Sequence, residues 1–294
     1  MHEIEKKLIS DILLFDGAMG TMLMERGIKA GETAETWVLD HPDEIEAVHR
    51  AYYAAGADVA TTATFGATSL KLAHYKLSDR AAEINRKGAE LARKACPAGK
   101  FVAGDIGPTG KLLKPAGDAD EATLSEAFAR QAKALAEGGV DFLIIETMMD
   151  VAEALIALEA ARSTGLPVFA TISFARKPRG YFTIMGNKPA DAARALSEAG
   201  AAAVGTNCSL RIDDMVDVVA EMKAVTGAPI IAQPNAGKPE VSGGVMTYPD
   251  GPEVYAEKTP DLIRAGARVV GGCCGTTPET IRRMREVIDS LPPS

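Results

Sequence analysis

The feature that most constrains this chain is a single unit that recurs eight times without repeating its residues. A short apolar run ends in polar or glycine residues. An amphipathic segment follows, then a glycine and the next apolar run. LLFDGAMG leads to DEIEAVHRAYYAAG, ADVATTATFG to SDRAAEINRKGAELARKAC, and KFVAGDIGPTG to ATLSEAFARQAKALAEGG. VDFLIIETMMD leads to VAEALIALEAARSTG, LPVFATISF to KPADAARALSEAG, and AAAVGTNCSL to RIDDMVDVVAEMKAVTG. APIIAQPNAG leads to GPEVYAEKTPDLIRAG, and ARVVGGCCG to TPETIRRMREVIDSLP. The apolar runs lack alternation, as strands of a parallel sheet do when helices cover both faces. Gly56, Gly139, Gly165, Gly200, Gly227 and Gly266 sit where helices end in a left-handed residue, and Pro278 suits a first helical turn. Eight consecutive units in 294 residues predict a (β/α)8 TIM barrel, a single domain over 1–294. Residues 1–10 read as a short N-terminal helix beside it. An open doubly wound sheet is the rival architecture.

Composition narrows the partners. A net charge of -8 argues against a nucleic-acid or anionic-membrane surface. The opening MHEIEKKLISDILLFDG is charged, so no secretory signal is read there, and no apolar run approaches the ~18 residues of a membrane helix. A reducing, cytoplasmic setting is expected. Four cysteines, Cys96, Cys208, Cys273 and Cys274, are then candidates for metal binding or catalysis.

Barrels of this kind place chemistry at the C-terminal ends of their strands. Those ends read Asp16 and Gly17, Thr62 and Thr64, Asp105, Glu146, Ser173, Asn207 and Cys208, Gln233 and Asn235, and Cys273 with Cys274. Strands six and eight are separated by one neighbour, so Cys208, Cys273 and Cys274 can converge. Three thiolates make a Zn2+ site with an open fourth position, the pattern of catalytic zinc. Consecutive strand residues face opposite sides, so Cys273 and Cys274 can share one ion only where the strand bends, and Gly271, Gly272 and Gly275 supply that freedom. The competing reading is that free cysteines are commonly inert core residues, and Cys96, at a helix end on the opposite side, fits it. An iron–sulfur cluster normally takes four thiolates.

Glu146 follows FLII, where a carboxylate costs energy unless paired; a ligand ammonium would pair it. Asp16 before Gly17 can simply cap a turn, and Asp105 can organise its loop. GDIGPTG and GGCCGTT match no phosphate-binding motif. His2, His41, His49 and His74 fall in helical or peripheral positions, so neither histidine ligation nor histidine acid–base chemistry is indicated. Trp37 reads as helical or loop.

FDGAMGTML, TTATFGAT, GDIGPTGKLL, IIETMMD, GTNCS, PNAGKP and GGCCGTTPETI, in this order, resemble the homocysteine S-methyltransferase family. Within it the resemblance is to the N-terminal homocysteine-binding module of cobalamin-dependent methionine synthase, over about residues 12 to 288. It implies a (β/α)8 barrel with one Zn2+ on Cys208, Cys273 and Cys274. It implies that Asp16, Gly17 and Glu146 hold the amino acid, and Asn207, beside the metal ligand, matches the motif as a further substrate-binding residue. The reaction implied is methyl transfer to the thiol of L-homocysteine, giving methionine. The thiol, with pKa ~8.5, is activated by the metal, so no general base is required.

The chain shows none of the synthase's folate, cobalamin or reactivation modules, so the methyl donor is expected to be methylcobalamin on a separate corrinoid protein. Ile184-Met185-Gly186 replaces the TGT-like triplet of the long enzymes, and that rim faces the donor. Residues 174–190 and 235–250 are the expected docking loops, with Lys177, Arg179 and Lys188 as a positive cluster. S-methylmethionine and betaine are alternative donors; 5% aromatic residues disfavour an aromatic betaine cage. A different thiol acceptor and a non-catalytic zinc-binding subunit are the remaining alternatives.

Overall fold

The computed structural model describes residues 1–29, 31–242 and 245–292. Eight parallel strands form one sheet: β1 (Leu13–Leu14), β2 (Val59–Thr61), β3 (Phe101–Ile106), β4 (Phe142–Met148), β5 (Val168–Ile172), β6 (Ala203–Asn207), β7 (Ile230–Gln233) and β8 (Ala267–Val270). The order is β1-β8-β7-β6-β5-β4-β3-β2, so each strand pairs with its sequence neighbours. A parallel bridge from Phe15 to Val59 joins β1 to β2 and closes the ring, with the Asp58 amide donating to the Leu14 carbonyl at 2.7 Å. The eight-unit expectation holds.

The barrel is sealed by side chains of alternate strand residues. Phe15, Val59, Ala103, Phe142, Ile144, Phe169, Ala203, Ile231 and Val269 form the inner cluster. Phe142 and Phe169 meet at a ring-centroid distance of 4.4 Å. Their neighbours on the same strands, among them Val102, Leu143, Ala170 and Val204, pack outward under the helices. This two-sided burial explains the unbroken apolar runs: burying each large side chain stabilises by ~1.5–3 kcal/mol.

The principal helix after each strand runs, in order, Pro42–Ala54, Ala81–Ala95, Glu121–Glu137, Val151–Arg162, Pro189–Glu198, Ile212–Lys223, Pro252–Ala265 and Pro278–Ser290. Pro278 lies in the first turn of the last. Five of the six expected helix-end glycines have positive φ; Gly227 does not. The helix before it ends at Lys223 with Ala224 as its right-handed cap, so the turn is finished before the glycine is reached. No helix among the described residues is long and apolar enough to cross a membrane.

The N-terminal helix, Glu3–Ser10, is present but not beside the barrel. Ile4 and Leu8, one turn apart, join the inner cluster with Phe101 and Ala202, at the starts of β3 and β6. The helix therefore stoppers the N-terminal mouth, and Arg268 pins it by donating to the Ile9 carbonyl at 3.1 Å. The opposite, C-terminal mouth carries the insertions. Helices Met19–Glu25 and Ala34–Asp40 follow β1, and hairpins Ala175–Lys177/Gly180–Phe182 and Glu240–Ser242/Val245–Thr247 follow β5 and β7.

Candidate active site

The tips of β6 and β8 are both fastened to the tip of β7 between them. The Cys208 amide donates to the Gln233 carbonyl at 3.0 Å, and the Cys273 amide to the Pro234 carbonyl at 2.8 Å. This brings the sulfurs of Cys208, Cys273 and Cys274 within 4.8 Å of one another, with Cys208 Sγ and Cys274 Sγ 4.0 Å apart. Tetrahedral zinc with ~2.3 Å bonds sets its sulfurs about 3.8 Å apart, so the cluster has the size of a zinc site. The adjacent cysteines converge because the strand has ended. A side chain at Gly272 would strike Thr276, whose hydroxyl donates to the Cys273 carbonyl at 2.7 Å. Gly275 has φ +84° with the Tyr248 ring directly against it. Cys208 and Ser209 are also left-handed, at φ +60° and +56°. Non-glycine residues adopt that region at a cost of about 1–3 kcal/mol each, typically at functional sites. Hydrogen bonds from Cys273 and Cys274 hold the Cys208 thiol well down. Hydrogen bonds with Cys208 and then Cys274, together with burial, hold the Cys273 thiol up.

These sulfurs line a cavity of about 510 Å³ at the C-terminal mouth. Its wall also carries Asp16, Asp105, Glu146 and Glu35, with Met19, Phe65 and Tyr248 among the apolar surfaces, and, among the described residues, no lysine or arginine. Burial pushes Glu146 up to about 8, helped by the negative charge of Cys208 and then Asp16. Asp105 is raised by burial and by Glu146, Glu35 and Asp16, and its Oδ1 has no hydrogen-bond partner in the protein. Glu35 accepts from the Gly66 amide. Asp16 accepts from the Thr61 amide at 2.8 Å and the Thr61 hydroxyl at 3.2 Å. Burial nevertheless raises it to about 7. A cation entering the cavity would offset the burial that raises these carboxyls.

Asp16 supplies a pH test. Its folded-state pKa is raised from 3.8 to about 7, so the folded protein favours the protonated acid. That stabilisation is complete below about pH 4 and is lost as pH rises through 7. Asp16→Asn mimics the protonated form and keeps an acceptor for Thr61. Its melting temperature relative to wild type should therefore climb steadily from pH 4 to 7 in ligand-free protein; a pH-independent difference would contradict the assignment.

Asp16, Gly17, Thr62, Asp105, Glu146, Gln233 and the three cysteines all line the cavity. Gly17 is tightly constrained, since a Cβ there would lie 3.0 Å from the Tyr52 hydroxyl and closer still to Thr276. Thr64, Ser173, Asn207 and Asn235 are buried and lie outside the wall. Thr64 bonds to Thr62 and to the Asp105 carbonyl, and Ser173 bonds to Ser209. Cys96 caps the helix end before β3, away from the mouth. Trp37 is helical, and its indole donates to Glu32. His49 is buried in helix Pro42–Ala54 with both ring nitrogens unpartnered, and burial lowers it to about 4. Sequence reasoning missed Glu35, Thr61, Phe65, Thr147 and Tyr248. For Thr61 the signal was present, as the residue beside Thr62 in TTATFG.

The sequence matches the homocysteine S-methyltransferase family over residues 13–288. The chain belongs to that family. Among solved structures it is similar to the homocysteine methyltransferase MmuM from Escherichia coli. In the metallated form the TM-score is 0.78 at 27% identity, covering 94% of this chain and 96% of that one. The oxidized form gives 0.77 at 26% identity and the apo form 0.71 at 27%, with the same coverage. This family member also shares its fold with the carboxyl transferase domain of Rhizobium etli pyruvate carboxylase, at 15% identity and a TM-score of 0.53 over 98% of this chain and 49% of that one.

Proposed function

We propose that this chain transfers a methyl group to the thiol sulfur of L-homocysteine, giving methionine, with one Zn2+ held by Cys208, Cys273 and Cys274. The observation that carries the reading is three sulfurs at zinc spacing in the wall of a cavity that also presents Asp16 and Glu146. Zinc held there would act as a Lewis acid that lowers the pKa of a thiol from ~8.5 into the neutral range. Glu146 and Asp16 would take the ammonium group and ionise as they do so, since a cation beside them offsets the burial that now holds them protonated. Gly17 lets the chain beside Asp16 pack directly against Thr276 and Tyr52, which fixes Asp16 at the wall. Met19 and Phe65 exclude water from the side chain. The thiol loses its proton to solvent as it binds, the sulfur–carbon bond forms, and the donor–methyl bond breaks with its electron pair leaving on the donor. The cavity needs no basic residue for this, consistent with the absence of histidine from its wall.

For the donor we favour methylcobalamin on a separate corrinoid protein. Exposed Met24, Leu112, Met149, Ile184 and Met185 lie on the loops after β1, β3, β4 and β5, around the mouth. They offer an apolar rim to a flat macrocycle. Lys177, Arg179 and Lys188 are exposed on the loop after β5 and in no ion pair among the described residues, whereas Arg176 pairs with Asp214. Of the other expected docking loop, residues 243 and 244 lie outside the described residues. A sulfonium donor such as S-methylmethionine is the second reading, favoured by the four carboxylates and the lack of a cation in the wall. Among the described residues only Phe65 and Tyr248 represent the aromatics there, too few for a betaine cage.

The test supplies homocysteine with a methyl-corrinoid protein, free methylcobalamin, S-methylmethionine and betaine in parallel. Charge reversal at Lys177 and Arg179 should slow transfer from the corrinoid protein about tenfold at low salt. Added salt should shrink that difference, and free methylcobalamin should be affected much less. Turnover with S-methylmethionine and none with any methyl-corrinoid would replace the first donor by the second.

A further inference from the structure

Asn207 ends β6, immediately before Cys208, and is fully buried outside the cavity wall. Its amide is completely engaged. Oδ1 accepts from the Thr147 amide and the Thr171 hydroxyl, both at 2.8 Å. Nδ2 donates to the Thr147 hydroxyl at 2.7 Å and lies 4.0 Å from Cys273 Sγ. An Asn amide has two donors and two lone pairs, so nothing remains for a substrate. The side chain instead reaches from β6 across β5 to the tip of β4.

That tip is irregular. Ile145 is opposite Ala170 and Met148 is opposite Ile172, so β4 uses three residues where β5 uses two. Alternation after inward Ile144 and outward Ile145 turns Glu146 to the cavity, and the extra residue returns Met148 to the outer core, leaving Thr147 at the wall beside Glu146. Thr147 has φ +58°, a conformation that β-branched residues rarely adopt unless their surroundings impose it. Two of Asn207's bonds end on this residue.

We propose that Asn207 is a positioning residue for methyl transfer: its amide latches the left-handed bulge directly after Glu146, holds that carboxylate at the cavity wall, and so ties the amino-acid end of the site to the thiol cluster. The inference rests on the homocysteine reading above for its functional consequence, but the latch itself is a property of the chain.

The experiment uses four zinc-loaded proteins: wild type, Asn207→Ala, Thr147→Gly and the double variant. Homocysteine affinity is measured by calorimetry and zinc stoichiometry by elemental analysis. Asn207→Ala should weaken homocysteine binding about 10- to 100-fold with zinc retained. In the Thr147→Gly background the same change should cost about threefold or less, because glycine holds positive φ without a latch. Equal losses in both backgrounds would overturn the proposal, as would loss of zinc in Asn207→Ala. A crystal structure of ligand-free Asn207→Ala separates the latch from the functional reading. Thr147 should leave the left-handed region and Glu146 should turn from the cavity, whether or not wild type binds homocysteine. An unmoved Thr147 would overturn the latch, whereas a wild type that fails to bind homocysteine would overturn only the functional reading.

Discussion

Replacing Cys208, Cys273 or Cys274 by Ala should remove stoichiometric zinc and lower methyl transfer by about 10³-fold or more, the scale of losing several kcal/mol of Lewis-acid stabilisation. The three sulfurs form one cluster, all within 4.8 Å, so two remaining thiols cannot hold the ion in the same closed geometry. Cys96→Ala is the control. It lies at the far end of a helix from the mouth, and zinc and activity should both survive. The proteins without zinc should stay folded. The inner phenylalanine cluster and the helix shell are built without the metal, unlike a zinc finger, whose core depends on it. Zinc content by elemental analysis, with thermal melting alongside, checks all three statements. Full occupancy in Cys273→Ala would contradict the ligand set.

The second large effect is at Glu146. Glu146→Gln should leave zinc in place and weaken homocysteine binding roughly 10- to 150-fold, the ~1.5–3 kcal/mol of a hydrogen bond to a charged group. The carboxylate faces a cavity whose wall, among the described residues, has no basic side chain, so an ammonium-bearing ligand can supply the cationic hydrogen-bond donor it lacks. Its raised value, about 8, sets the pH dependence. In the free protein the group ionises only as pH rises through 8, so ammonium binding near pH 7 should displace a proton. Calorimetry in buffers of different ionisation enthalpy should detect that proton with wild type, and less of it with Glu146→Gln. An unchanged dissociation constant would make Glu146 a structural residue.

The barrel was legible because each strand is buried on both faces and each helix on one, and that difference is written locally in the apolar runs. The thiol cluster was legible for a related reason: strand order makes β6 and β8 near neighbours once eight units are counted. What escaped depends on contacts distant in sequence. Ile4 and Leu8 make an amphipathic stripe that would suit a flank as well as a plug; only the closed ring shows an open lower mouth for them. Glu35 sits in an inserted helix and reads as a solvated charge until the fold lays its carboxylate on the Gly66 amide. The bulge at Thr147 has no local signal, because threonine is an ordinary strand residue. It is created by Asn207, sixty residues on. Asn207 matched a motif that suggested contact with the amino acid, and the structure places it behind the wall instead.

The central claim is that homocysteine presents its thiol to a metal held by these three cysteines. Zinc K-edge X-ray absorption on the purified protein, with and without L-homocysteine, tests it most directly. The expected result is three sulfur neighbours around zinc in the free protein, rising to four on addition of homocysteine and remaining at three with an analogue that lacks the thiol. A zinc environment with fewer than three sulfurs, or one unchanged by saturating homocysteine, would contradict it.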